Sequence, residues 1–266
     1  LPNGMTSTAL AIGSASTPPI IVFLAEYFGW QYTFFLISIL GVIGTLFWWK
    51  YSKNWPREHP NVNQKELELI GESEFNNNEM SWSMVKEVLA DKNVFFAALG
   101  YMSMNYVFFI FYSWIFIYFV NIRGFDVLEG SLLASLPFLM GAIGATLGGY
   151  LCDRLQTSHG VIWGHRIPVI VGLVPSAGFL IFGSITENPY LAVLSLSLCY
   201  GFIELTEGPF WSAIGFVSKK PQAAGGILNT GGNLGGVLAT PLIPILANQF
   251  GWVIALNSGV FFALLG

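Results

Sequence analysis

Apolar runs separated by short polar breaks dominate the chain. A helix that crosses a bilayer needs roughly 20 mainly apolar residues, and such runs lie near 8–28, 31–51, 94–120, 129–151, 167–186, 190–217, 223–247 and from 252 onward. The pattern predicts an all-α membrane protein with about eight spans, the last one incomplete. One long polar segment interrupts them, from Ser52 to Asn93, and it holds the Asn76-Asn77-Asn78 run. Within it, Asn63 and Glu66 have the spacing of a capping pair that starts a short helix. Ser81 precedes Trp82, Val85, Val88 and Leu89, which share one face of a second short helix expected along the membrane surface. The chain lacks an initiating Met and stops inside an apolar run at Gly266, which reads as a fragment cut at both ends.

Composition agrees: 54% of residues are hydrophobic and 10% charged, against about 25% charged in a soluble domain. Ten basic residues, Lys50, Lys53, Arg57, Lys65, Lys86, Lys92, Arg154, Arg166, Lys219 and Lys220, fall on one side of the predicted topology and only Arg123 on the other. The positive-inside rule makes the first side cytoplasmic. The net charge of −4 says little about partners, and nothing points to nucleic acid. Cys152 and Cys199 suggest neither a disulfide framework nor a metal site. Without a Walker loop, a His-Glu-x-x-His motif or a nucleophile elbow, the chain does not read as an enzyme, and no cofactor or metal is implied.

A repeat emerges from a single constant offset. Gly4, Thr8, Gly13, Pro19, Leu24, Ala25, Phe28, Gly29 and Trp30 match Gly226, Thr230, Gly235, Pro241, Leu246, Ala247, Phe250, Gly251 and Trp252. Both copies start on the cytoplasmic side, so the repeat is parallel, the kind that relates the halves of a major facilitator transporter. On that architecture the two helix pairs are spans 5–6 and 11–12, and four spans precede this sequence. The expected division is 1–52 as the end of the N-terminal half, 53–93 as a cytoplasmic central loop, and 94–266 as the C-terminal half.

Motifs carry the comparison to a family. The Gly149-Tyr150-Leu151-Cys152-Asp153-Arg154 run is similar to the loop signature of the major facilitator superfamily. Pro56-Arg57-Glu58-His59-Pro60, Arg123-Gly124-Phe125 with Leu136-Pro137-Phe138, and Gly208-Pro209-Phe210-Trp211 leading to Gly225 through Gly236 resemble its anion:cation symporter branch of sugar-acid, organic-anion and phosphate carriers. The resemblance implies a plasma-membrane monomer, bacterial inner membrane in its bacterial members, that moves a small organic anion with protons by alternating access. It implies that Asn229 contacts substrate and that Trp211 stands beside it. The Trp-Leu-Pro-x-Tyr-Leu pattern expected in the seventh span reads Trp114-Ile-Phe116-Ile-Tyr118-Phe119 instead, so substrate choice does not carry over. A neutral-sugar or drug carrier is the alternative within transporters, and a channel or receptor the alternative outside them.

The candidate chemistry lies mainly between Tyr200 and Gly236. Carboxylates within a span are costly and functional by default. Glu204 and Glu207, three residues apart, share a helix face; placing two such groups together out of water favours proton uptake by at least one, which makes them proton-coupling candidates. Glu207 hydrogen-bonding backbone freed near Pro209, with Glu204 paired to another helix, is the structural alternative. Asn229 and Asn233 form an i, i+4 amide pair able to donate to and accept from a hydroxylated ligand. In the aromatic span 94–120 Tyr112 and Trp114 can bind a polar ligand while their rings stay apolar, and Ser14 is a pathway candidate in the span 8–28. At the cytoplasmic side Gly149, Asp153, Arg154 and Arg166 form a candidate gate, with Asp153 drawn to a helix N-terminus and the arginines to carboxylates. His159 and His165 read as solvated loop side chains. No Lys or Arg lies deep in any span, so the counter-charge for an anion is expected from the four preceding spans.

Overall fold

A computed structural model of the chain describes residues 2–70 and 81–266, with side chains described from Thr6 to Glu68 and from Ser81 onward. The Asn76-Asn77-Asn78 run lies outside the described residues. The elements, all helical, are α1 (Pro2–Tyr51), a 3-10 turn (Pro56–Glu58), α2 (Gln64–Ile70), α3 (Trp82–Leu89), α4 (Lys92–Asn121), α5 (Val127–Ile185), α6 (Pro189–Glu204), α7 (Glu207–Val217), α8 (Pro221–Phe250) and α9 (Trp252–Leu265).

Among the described residues five helical stretches are long and apolar enough to cross a membrane, and α9 is a shorter apolar helix. Two of the five are kinked. Gly29 in α1 (φ 78, ψ 160) and Gly160 in α5 (φ 81, ψ 168) leave helical geometry, in a region L side chains rarely enter. They divide α1 into arms 2–28 and 30–51 and α5 into arms 127–159 and 161–185. With α6 and α7 joined as one span, this recovers the eight expected runs. Gly251, between α8 and α9, has φ 88 and ψ 161. Gly29 and Gly251 are repeat partners, so the sequence repeat is also a repeat of backbone geometry.

The chain forms two compact units. One, Phe23–Ser81, holds the Gly29 corner, the arm 30–51, the 3-10 turn and α2. Thr33 Oγ1 donates to the Gly29 carbonyl at 2.9 Å, and Asn63 Oδ1 accepts from Glu66 N at 2.9 Å, the expected cap of α2.

The other unit joins the segment ending at Val22 to Trp82–Gly266. Its core centres on Tyr106, Phe111, Tyr118, Phe119 and Tyr200, all buried. Glycines set how closely the helices approach. A Cβ on Gly144 would come 1.9 Å from the Gly201 carbonyl oxygen, and one on Gly148 2.0 Å from that of Leu205, so α5 and α6 meet backbone to backbone. On α8, Gly235 faces the Met102 carbonyl of α4 in the same way, at 2.3 Å. Thr8 of α1 bonds Thr146 of α5 at 2.8 Å, and Ala11 and Ala15 are buried. Surface helix α3 buries Val88 while Trp82 and Leu89, expected on the same face, stay exposed. An ion pair between Glu87 and Lys220 ties α3 to the start of α8.

The stretch between the fourth and fifth predicted spans differs from expectation. Helix continues to His159 and resumes after Gly160, so the polar residues 152–166 are extensions of the two arms and not a loop. His165 is consequently buried, at 7% exposure, in place of the solvated side chain its polarity implied.

Candidate functional site

The span formed by α6 and α7 breaks at Leu205-Thr206. Thr206 N bonds the Ile203 carbonyl three residues back, at 3.0 Å, and Thr206 Oγ1 donates to that same carbonyl at 2.7 Å. The step leaves Glu204 as the last residue of α6 and Glu207 as the first of α7. The two carboxylates stay within electrostatic reach of each other but serve different neighbours. Glu204, 5% exposed, interacts with Tyr200 and packs against α5 at Gly141, where a Cβ would sit 3.0 Å from its Cγ.

Glu207 Oε1 accepts from Tyr101 Oη at 2.9 Å and from Trp211 Nε1 at 2.9 Å, while Trp211 Nε1 lies 3.1 Å from Tyr101 Oη. The carboxyl group therefore takes side-chain donors from α4 and from one turn along α7, not freed backbone near Pro209. The rings of Tyr101 and Trp211 meet edge to face at 6.1 Å.

Helix α8 presents one face to this cluster. A Cβ on Gly225 would contact Trp211, and one on Gly232 would contact Tyr101 and the Asn105 amide. Asn229 lies between these glycines at i+4 and i+7 spacing, hence on the same face, and its side chain is exposed. Asn233 Nδ2 donates to the Asn229 carbonyl at 2.8 Å and to Asn229 Oδ1 at 3.2 Å. That arrangement leaves Asn229 Nδ2 as a donor and Asn233 Oδ1 as an acceptor for a ligand.

A cavity of about 620 Å³ lies between the first arm of α1, α4 and the first arm of α5. Ser14, Thr17, Tyr112 and Ser113 supply its hydroxyl groups, and Phe116 and Phe138 supply apolar wall. Thr17 Oγ1 donates to its own helix at Gly13, which leaves the oxygen as an acceptor. Ser113 reaches Thr240 of α8 at 3.5 Å, linking the cavity to the helix that carries the asparagines.

The candidates thus fall into three groups. Ser14 and Tyr112 share the cavity; Glu207 and Trp211 share the cluster; Asn229 and Asn233 flank the cluster on α8. Trp114 joins none of them. Two residues from Tyr112 it faces another direction, since i and i+2 do not share a helix face, and it meets Trp252 of α9 edge to face at 6.5 Å. Among the gate candidates, Arg154 Nη1 donates to Tyr150 Oη at 3.0 Å, Arg154, Asp153 and Arg166 are exposed, and Gly149 is buried near Gly208 of α7. Tyr101 and Asn105 also face this cluster, and the pattern alone did not single them out. Their four-residue spacing on one face was the available signal.

The model of the Major Facilitator Superfamily matches residues 1–225. The chain is 27% identical to the hexuronate transporter of Bacillus subtilis over 253 residues, covering 93% of this chain and 58% of that protein. It is 27% identical to a probable sulfoacetate transporter of Cupriavidus necator, covering 94% and 58%, and 26% identical to a probable galactarate/D-glucarate transporter of Escherichia coli, covering 84% and 52%. The chain therefore spans little more than half the length of the curated relatives it matches.

Proposed function

We propose, on the premise that this chain belongs to the Major Facilitator Superfamily, that it contributes the C-terminal half of the binding site of a secondary transporter for a sugar acid or a similar small organic anion. With bacterial relatives and apolar helices of spanning length, it is a multi-pass inner-membrane protein. The observation that carries the reading is the Tyr101–Glu207–Trp211 cluster at the break between α6 and α7, with the amides of Asn229 and Asn233 alongside. Transporter sites use broken helices of this kind near the membrane midplane.

In the proposed mechanism the amides and the cavity hydroxyls engage the hydroxylated chain of the substrate. Between them they offer both donors and acceptors, so a polyol finds partners without a fixed charge. The Trp211 and Tyr101 donors hold Glu207, and a substrate that displaces either donor alters how readily Glu207 takes a proton. That link is the proposed proton coupling: carboxylate and substrate compete for the same donors, so occupancy of one changes the other. Alternating access then exposes the site to each side in turn. The relatives' names, hexuronate and galactarate/D-glucarate transporter, support sugar acids as the first substrates to try.

The test uses the full-length protein in proteoliposomes with labelled D-glucuronate and D-glucarate. The expected result is saturable counterflow without ionic conductance. Asn229→Ala should weaken apparent affinity, and Glu207→Gln should retain exchange while losing proton-driven accumulation. Conductance without counterflow would indicate a channel. Unchanged pH-dependent accumulation in both Glu204→Gln and Glu207→Gln would remove the carboxylates from coupling.

A further inference from the structure

The ring of Tyr101 is wedged between α7 and α8. It is 5% exposed, lies against Phe210 with 5.5 Å between ring centroids and meets Trp211 edge to face. On the α8 side its neighbour is main chain: a Cβ on Gly232 would stand 2.5 Å from Tyr101 Cε1 and 2.6 Å from Cδ1. The seam continues along both helices. A Cβ on Gly231 would come 3.1 Å from Ala98 Cβ, one on Gly235 2.8 Å from Tyr106 N, and one on Gly236 2.5 Å from the Phe109 ring. Helices α4 and α8 are thus fitted together over about three turns, with Tyr101 held inside the fit.

That fit fixes where the Tyr101 hydroxyl lies. Carbon atoms settle about 3.5–4.0 Å apart, so a methyl group at 232 would drive the ring back by about 1 Å. The hydroxyl donates to Glu207 Oε1 at 2.9 Å, and a contact stretched to about 3.6 Å is no longer a hydrogen bond. A displacement of that size therefore separates Tyr101 from Glu207. From Pro221 to Phe250, α8 has no ionisable side chain of its own, so its influence on Glu207 passes through the residues it touches. At Trp211 the contact is loose, since a Cβ on Gly225 would meet the indole at the ordinary distance of 3.6 Å. At Tyr101 it has no slack. The other ionisable side chains within electrostatic reach of Glu207 are Glu204 and Tyr200 on α6, and residues 130–149 of α5 contribute none.

Asn229 and Asn233 share α8 with Gly232, and Asn229 stands one turn before it on the same face. Glu207 belongs to α7, which begins at the Leu205-Thr206 break. The Tyr101–Glu207 bond therefore spans the boundary between the α4–α8 pair and α7. We propose that Gly232 is a positioning residue: it makes Tyr101 travel with α8, so that the helix presenting the two amides to substrate governs the donor of Glu207. In the mechanism above, substrate and carboxylate compete for donors directly. The Gly232 seat adds a route in which substrate need not touch Tyr101, because a displacement of α8 against α7 by about 1 Å breaks the bond.

The seating of Tyr101 does not depend on the transport reading; its consequence for substrate rests on that reading. The test therefore has two arms, both on the full-length protein. The first is a double-mutant cycle in thermal unfolding. Gly232→Ala should lower the midpoint by about 4 °C, while Gly178→Ala, with nothing within 4 Å of the new methyl group, should not. In a Tyr101→Ala background, where the ring is gone, Gly232→Ala should cost nothing. Equal losses in the two backgrounds overturn the proposal. The second arm is D-glucuronate counterflow with Tyr101→Phe, which keeps the ring and so tests the seat even where Tyr101→Ala does not fold. Gly232→Ala and Tyr101→Phe should each weaken apparent affinity about tenfold, and the double variant also about tenfold, because both remove the same bond. The pH profile of counterflow should shift alike in the two single variants, which a loss of packing alone would not produce. Wild-type affinity in Gly232→Ala, multiplied losses in the double variant, or a pH profile moved by Tyr101→Phe alone would overturn the assignment. Absence of counterflow in wild type, with the unfolding cycle as expected, would overturn the transport reading and leave Tyr101 seated by Gly232.

Discussion

Substituting alanine for Gly144 tests the helix contact on which the carboxylates depend. The added Cβ would lie 1.9 Å from the Gly201 carbonyl oxygen and 2.9 Å from its carbonyl carbon. Carbon and oxygen approach to about 3.3 Å in the closest favourable contacts between helices, so the backbones must part by more than an ångström. No flexible side chain can absorb that movement, because both obstructing atoms are main chain. The same seam seats Tyr200 and Glu204 against Gly141, so parting α5 from α6 unseats them. Alanine's higher helix propensity, about 1 kcal/mol at most, offsets part of an overpacking cost of about 1–3 kcal/mol, which main-chain obstruction places at the upper end. Gly178→Ala supplies the control: same helix, same chemistry, and nothing within 4 Å of the new methyl group. Thermal unfolding of the full-length protein in detergent should give a midpoint for Gly144→Ala lower by roughly 5 °C, with Gly178→Ala at or slightly above wild type. Equal midpoints for the two variants would refute the backbone contact.

Other outcomes follow from the site and its surroundings. Tyr101→Phe removes one of the two side-chain donors to Glu207; loss of a buried partner costs about 1–3 kcal/mol, so apparent substrate affinity in counterflow should fall about tenfold, and an unchanged value would take Tyr101 out of the site. Arg123 bonds Tyr118 Oη and the carbonyls of Gly183, Ser184 and Thr186 at the end of α5. A lysine lacks that fork, so Arg123→Lys should lose about 1.5–3 kcal/mol in the same unfolding assay and speed hydrogen exchange near residue 186. The Glu87–Lys220 pair is partly exposed, and exchanging the two residues should change stability by less than about 1 kcal/mol; a larger loss would mean that this tie contributes more than an exposed ion pair does.

Spans and the repeat were legible because hydropathy and glycine placement are local properties. The corner at Gly160 was not, because residues 152–166 are polar enough to read as loop while their backbone remains helical; hydropathy reports the surroundings of side chains, not the path of the chain. That is why His165 was misplaced. Trp211 and Asn229 stood out through the family motif, and the structure sets them on either side of Gly225. Tyr101 stayed hidden as one ring among twelve in its span, since its partner Glu207 is 106 positions away and no local pattern records such a pairing. Tyr112 and Trp114 looked alike as polar aromatics, and only the helical period separates the one that lines the cavity from the one that packs on α9.

At Gly29, Gly160 and Gly251 the helix is interrupted by a single residue outside helical geometry. Such a joint has almost no slack, because one residue of non-helical backbone spans only about 3.3–3.6 Å even when extended. Within the unit that holds Trp82–Gly266, longer breaks between the helices from α4 onward lie at 122–126, 186–188, Leu205-Thr206 and 218–220. Two of these four, Leu205-Thr206 and 218–220, bound α7, so the helix that begins with Glu207 is jointed at both of its ends.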